Sequence, residues 1–139
     1  MASKTAYQMA GIMNPLEDLD FIELHDAYTS SEIQSYEDLG LCRYGEGGKF
    51  VAAGKPFMPG LDYGYRFPEQ GTIPINPSGG LKAKGHPIGA TGVSMHVLAA
   101  LQLRGEAGDM QVKNARLAGL YNMGGTAVAN YVSILERLR

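Results

Sequence analysis

The hydrophobic and polar positions divide the chain into short periodic segments separated by glycine and proline. Residues Ser3 to Gly11 read as a short helix that Gly11 stops, and Pro15 then breaks the chain. The run Leu19 to Leu24, LDFIEL, predicts a buried strand that ends at His25-Asp26. Thr29 or Ser30 is placed to cap the next helix, with Glu32 in its first turn. Ile33, Tyr36 and Leu39 form its expected buried face, and Gly40 closes it. After Gly92, the segment VSMHVLAALQLR predicts a helix that buries Val93, Val97, Leu98 and Leu101 and stops at Gly105. Ala115 to Tyr121 and Ala127 to Leu135 predict two strands, joined as an antiparallel hairpin by a Gly124-Gly125 turn.

No period emerges between about residues 43 and 75. GEGGKF, KPFMPG and LDYGYRFPEQG are glycine, proline and aromatic punctuation, so this stretch reads as a long loop excursion. Phe57, Tyr63, Tyr65 and Phe67 either cover a ligand or partner chain, or form a small aromatic cluster of the loop itself. The order helix, strand, helix, loop, helix, strand, strand predicts a single α/β domain over residues 1–139. Three strands are few for this much helix, which suggests one part of a larger assembly.

Composition narrows the function classes. Of 139 residues, 45% are hydrophobic and 19% charged, an ordinary globular balance. A net charge of −2 gives no reason to expect nucleic acid or an anionic membrane surface as partner. No apolar run reaches the roughly 20 residues of a membrane span, and MASKTAYQMAG lacks a secretory apolar core. Cys42 is the only cysteine, which rules out an internal disulfide and a cysteine-rich zinc site, and a reducing, cytoplasmic compartment is expected.

The candidate chemistry lies in four places, each at a strand end or a helix start: His25-Asp26-Ala27-Tyr28, Asn76 to Gly80, Gly85-His86-Pro87, and Tyr121 to Gly125. Helix starts offer free N–H groups to a phosphate or a developing oxyanion. The segment Asn76 to Gly92, NPSGGLKAKGHPIGATG, is built to fix an imidazole at the mouth of a helix. Pro87 restricts the backbone of His86 to extended values, and glycines surround it. His96 sits among apolar helix neighbours and reads as packing or surface. Cys42 has no histidine near it in sequence to make it a nucleophile, and no local spacing supports a metal site at His25, Asp26 and His86.

NPSGGLKAKGHPIGATG closely resembles the glycine-rich signature of the thiolases. HDAY, residues 25–28, resembles their second active-site loop, and NMGG, residues 122–125, occupies the place of the last one. ELHD, GEGGKF and NPSGGL together look most like the sterol-carrier-protein-type thiolases and the bacterial and archaeal thiolases that work with a small zinc-ribbon/OB-fold protein. The resemblance runs from about residue 10 to the C-terminus and covers the C-terminal half of a thiolase-like layered fold, a mixed sheet flanked by helices.

That resemblance implies a subunit that forms or cleaves a carbon–carbon bond beside the thioester of an acyl-CoA, without a cofactor. His86 would activate the nucleophilic cysteine, and His25 would replace an asparagine that holds an oxyanion-hole water. Asn76, Gly79, Gly80 and Gly85 would shape the substrate pocket, and Gly124 and Gly125 would lend N–H groups to an oxyanion. The nucleophilic cysteine belongs to the N-terminal half, so a second chain and an oligomer are expected. Ala27 and Asn122 stand where thiolases carry their acid/base cysteine. The adjacent Tyr28 and Tyr121 resemble the tyrosines of thiolase-like aldolases, which implies a retro-aldol alternative on a β-hydroxyacyl-CoA if a phenol's pKa is lowered. A non-catalytic subunit that binds CoA esters or organises an assembly is the third expectation.

Overall fold

The computed structural model describes residues 2–138. In chain order its helices are α1 (Ala2–Ala10), α2 (Pro15–Asp18), α3 (Thr29–Asp38), α4 (Gly47–Ala52), α5 (Gly80–Lys84) and α6 (Thr91–Arg104). Its strands are β1 (Phe21–Leu24), β2 (Leu117–Gly124) and β3 (Ala129–Glu136). They form one mixed sheet in the order β1-β2-β3, with β1 parallel to β2 and β2 antiparallel to β3.

Both faces of this sheet are covered, which explains the unbroken apolar character of LDFIEL. Phe21 packs with Ala118 and Leu120 under Met95, Ala99 and Leu103 of α6. Ile22, Leu24 and Tyr121 point the other way, into a core with Tyr36, Leu39, Phe50 and Ile73. The outer edge of β1 carries a single parallel bridge, Ile22 to Ile75. Pro74 O accepts from Ile22 N–H at 3.0 Å, and Asn76 N–H donates back to Ile22 O at 2.7 Å. The sheet therefore ends where the glycine-rich segment starts. The expected α/β layering, mixed sheet and hairpin are all present.

Several local expectations change. Pro15 starts α2 rather than breaking the chain, because the first helical position needs no N–H. Asn14 Oδ1 caps that turn by accepting from Leu16 N–H at 3.3 Å. The cap of α3 is Tyr28, not Thr29 or Ser30; Ser31 Oγ donates to Tyr28 O at 2.8 Å and accepts from its N–H at 3.3 Å. The stretch from residue 43 to 75 contains α4, whose six residues are too few for a period to register. Beyond α4 the stretch folds on itself, with Phe57 stacked on Phe67 and Tyr63 at centroid separations of 4.6 and 5.0 Å. In the hairpin, Gly124 ends β2, and the turn lies at 125–128 with Thr126 and Ala127 at positive φ.

The largest correction concerns α6. Val93 and Val97 are 66% and 53% exposed, and the buried side is Met95, Ala99, Gln102 and Leu103. This helix is apolar on nearly every side, so its period cannot say which face meets the sheet. Among the described residues no helix is long and apolar enough to cross a membrane.

Phe21→Ala is expected to cost roughly 3–5 kcal/mol, as for other fully buried aromatic residues. Val97→Ala in the same chain should stay within about 0.5 kcal/mol. Urea unfolding of both variants checks the orientation of α6.

Candidate active site

Strand β1 ends beside Tyr121 of the parallel β2, which runs on to Gly124, and the candidate chemistry gathers there. His25 N–H donates to Tyr121 O at 3.0 Å, so His25 continues the β1–β2 ladder and is almost fully buried. Its Nδ1 lies 2.9 Å from Asn122 Oδ1. An amide oxygen only accepts, so Nδ1 carries the proton and Nε2 keeps its lone pair in the neutral ring. His86 meets this imidazole edge to face, with centroids 4.8 Å apart and planes at 88°. Its Nδ1 lies 2.7 Å from Thr91 Oγ1, whose own proton goes to Pro87 O at 3.2 Å. Thr91 therefore accepts from His86, and Nε2 of His86 is the free basic nitrogen.

Gly92, in the first turn of α6, leaves room for this arrangement. A Cβ there would lie 2.7 Å from Asn122 Nδ2. No side chain caps the N-terminus of α6, so the positive end of that helix faces the site.

A ring of acidic and polar groups supports the pair from beneath. Asp26 Oδ1 accepts from Leu81 N–H at 2.7 Å, at the start of α5. Gly80 permits this, because it sits at φ +65° and a Cβ would lie 2.2 Å from Asp26 Oδ2. Glu23, only 1% exposed, accepts from Ser78 N–H at 3.1 Å and from Ser78 Oγ at 2.7 Å. Lys84 Nζ lies 3.6 Å from Glu23 Oε2 and also bonds Ser78 Oγ. Burial pushes the Glu23 carboxyl above its ordinary value, and Ser78 and Lys84 offset that only in part. Sequence reasoning did not single out Glu23, Ser78, Lys84 or Thr91. The one available signal was a charged residue inside the apolar run LDFIEL.

The site opens into a wide basin of about 1430 Å³. His25, His86, Asn122, Tyr28, Gly124 and Gly125 all border it. Tyr28 is 72% exposed there. Four residues expected to shape a substrate pocket lie away from this basin, and two of them, Asn76 and Gly79, border a second cavity of about 460 Å³. Asn76 turns its amide oxygen to Leu24 N–H at 2.7 Å, while Gly79, Gly80 and Gly85 give the loop its left-handed bends. Tyr121 borders the basin but packs with the core on the opposite sheet face. Its hydroxyl donates to Asn130 Oδ1 at 2.8 Å, and burial raises its pKa, the reverse of what an acid/base phenol needs. Cys42 lies outside the basin, and burial followed by Glu37 and Glu46 raises its thiol pKa. His96 bridges Gly92 O at 2.7 Å and Ser133 Oγ at 3.0 Å, tying α6 to β3. Among the described residues no cluster of histidine, cysteine and carboxylate groups suits a metal, since Asp26 is turned toward α5. The arrangement can move a proton at an imidazole and stabilise negative charge at a helix end, but it contains no thiol.

Residues 1–137 match the family model described as thiolase C-terminal domain-like. The chain belongs to that family. It is 41% identical over 136 residues to an acetyl-CoA acetyltransferase of Methanothermobacter thermautotrophicus, across 98% of this chain and 32% of that protein. It is 44% identical over 123 residues to sterol carrier protein 2 of Bos taurus, across 88% of this chain and 20% of that protein. This thiolase C-terminal domain therefore spans about a third of the first relative and a fifth of the second. Its fold matches a solved structure titled Ltp2-ChsH2(DUF35) aldolase with a TM-score of 0.73 at 24% identity, covering 98% of this chain and 31% of that one.

Two outcomes check the geometry. Gly92→Ala gains at most about 1 kcal/mol of helix propensity but loses the buried His25–Asn122 bond, at a cost of about 1–3 kcal/mol, so its melting temperature should hold or fall. The added methyl should displace Asn122 from His25, seen as shifted Asn122 amide and His25 ring resonances. For Glu23, the raised pKa means that the folded chain binds its proton more readily than the unfolded chain. That stabilisation is present below the ordinary value of 4.5 and lost as pH rises through the folded value. Glu23→Gln lacks this loss, so its stability relative to wild type should improve with rising pH in urea titrations.

Proposed function

We propose that this chain is the imidazole-bearing part of a thiolase-type acyl-CoA enzyme whose nucleophilic cysteine is carried by polypeptide outside these residues. The observation that carries the reading is the His25–His86 pair, with a free Nε2 on His86, at the mouth of an uncapped helix in an open basin without a thiol. Family membership supports acyl-CoA as the substrate class. The apolar outer face of α6, with Val93 and Val97 in solvent, supports a covering polypeptide.

In this reading His86 Nε2 takes the proton of the incoming thiol. The thiolate forms a carbon–sulfur bond to the thioester carbonyl, the bond between the acyl carbon and the CoA sulfur breaks, and His86 returns the proton to the departing CoA thiolate. The carbonyl oxygen gains negative charge during both steps. The N–H groups at Gly124-Gly125 and the start of α6 are suited to stabilise it. His25, held by Asn122, turns its Nε2 lone pair to the site, where it is suited to hold a water that donates to that oxygen.

A second reading rests on Tyr28, an exposed phenol in a basin that this chain leaves without a thiol. A base would remove the β-hydroxyl proton of a β-hydroxyacyl-CoA. The Cα–Cβ bond would break into a carbonyl product and a thioester enolate, and an acid would protonate the enolate. Tyr28 is the candidate acid/base for these steps, and the solved neighbour titled an aldolase has this fold.

Co-purification with mass spectrometry should identify the complementary polypeptide, and the reconstituted enzyme should turn over an acyl-CoA. His86→Asn should lower kcat by roughly 10²–10⁴-fold with little change in KM, the usual size of an acid–base contribution. Full activity of that variant would defeat the thiolase-type reading. Tyr28→Phe separates them: a comparable loss selects the aldol cleavage, and unchanged turnover selects thiolase-type transfer.

A further inference from the structure

We propose that Glu23 and Asp26 are positioning residues for His86: two carboxylates at the end of β1 grip opposite ends of α5, and that helix delivers His86 to His25. The inference deepens the functional reading only in naming His86 as the group delivered; the placement itself stands on the geometry.

Helix α5 has five residues, far fewer than a helix needs to persist alone. Something outside must fix both its ends. At its start, Asp26 Oδ1 accepts from Leu81 N–H at 2.7 Å, an anion at the positive end of a helix. At its other end, Lys84 Nζ reaches Glu23 Oε2 at 3.6 Å and bonds Ser78 Oγ. Glu23 also holds Ser78 through both its N–H and its hydroxyl, so one carboxylate ties the turn before α5 to the last residue of α5. Only Gly85 separates Lys84 from His86. His86 is itself exposed, and beyond its edge contact with His25 its ring is bonded through Thr91. The ring's position therefore depends on where α5 stops.

The cluster is a poor source of stability. Glu23 and Asp26 are 1% and 3% exposed, and Lys84 is the cation paired with Glu23. Desolvating such groups offsets most or all of their attraction. The raised pKa of Glu23 points the same way. What the cluster does supply is geometry: two acceptors fixed to a rigid strand end, three residues apart.

Nuclear magnetic resonance on the full chain tests this directly. Wild type should show cross-relaxation between the His25 and His86 rings. In Glu23→Gln and in Asp26→Asn that signal should weaken or vanish, and amides from Leu81 to Gly85 should exchange at least about tenfold faster. Amides of β2 should stay protected, and Lys84→Arg should keep the ring contact. In the reconstituted enzyme, Glu23→Gln should lower kcat by up to about 10²-fold, with KM little changed, as expected when a catalytic group moves by about 1 Å. Where Glu23→Gln does not fold, Ser78→Ala carries a weaker form of the test, because it removes the hydroxyl that joins Glu23 and Lys84 to the turn and leaves only the Ser78 N–H bond there. An intact ring contact and unchanged α5 exchange in the folded variants overturn the proposal. An inactive wild-type complex would instead overturn the functional reading and leave the ring contact to decide this one.

Discussion

The N–H of Leu24 emerges on the outer edge of the sheet, where β1 has no neighbouring strand to receive it. Asn76 Oδ1 takes that proton at 2.7 Å. A buried backbone donor must be satisfied, and here a side chain continues the ladder for one further bond. On the inner edge, His25 N–H bonds Tyr121 O. The last residues of a four-residue strand are thus gripped from both sides, and from this point the chain delivers each element of the site. His25 and Asp26 follow β1 directly, Asn122 follows its neighbour in β2, and the glycine-rich segment leaves from Asn76 itself. The two imidazoles lie far apart in sequence yet share one reference point.

Much of this was legible before the structure. An extended apolar run, a glycine-rich stretch around a His-Pro pair, and two strands about a glycine turn are local signals, and β1, His86 and the hairpin follow from them. The grouping of His25, His86 and Asn122 was visible only through resemblance. What stayed hidden has physical causes. Helices α4 and α5 are too short for a period, and external groups hold them in place. Asn76, Gly79, Gly80 and Gly85 serve a strand end and a carboxylate clasp, which their sequence does not distinguish from a ligand loop, and Asn76 and Gly79 also border a second cavity. Tyr121 and Asn122 are adjacent, and only the sheet's alternation separates them to opposite faces. Glu23 was disguised by its apolar neighbours, and nothing local announces that its partners are more than 50 residues downstream.

The two sides of α6 express one constraint in different ways. Toward the sheet, Met95 and Ala99 are fully buried and fix the helix axis. Away from it, Val93 and, just before the helix, Ile88 stand in water beside the basin together with Tyr131 of β3, and Val97 is exposed one turn further on. A helix apolar on every side is a core helix, and this chain covers only one of its faces. The same volume that exposes apolar surface exposes His86. The basin is larger than the roughly 300–1,000 Å³ usual for a small-molecule pocket.

The pairing of β1 with β2 has a further consequence, for the order in which the chain comes together. The hairpin and α6 are built from contacts between near neighbours, whereas His25 meets Asn122 across 97 positions. Closing a loop of that size is an entropic cost met before any contact compensates for it. Topologies dominated by such distant pairings fold slowly. The strand that positions both imidazoles thus docks only after a long closure, and its departure would part the two rings while leaving the hairpin's own ladder in place.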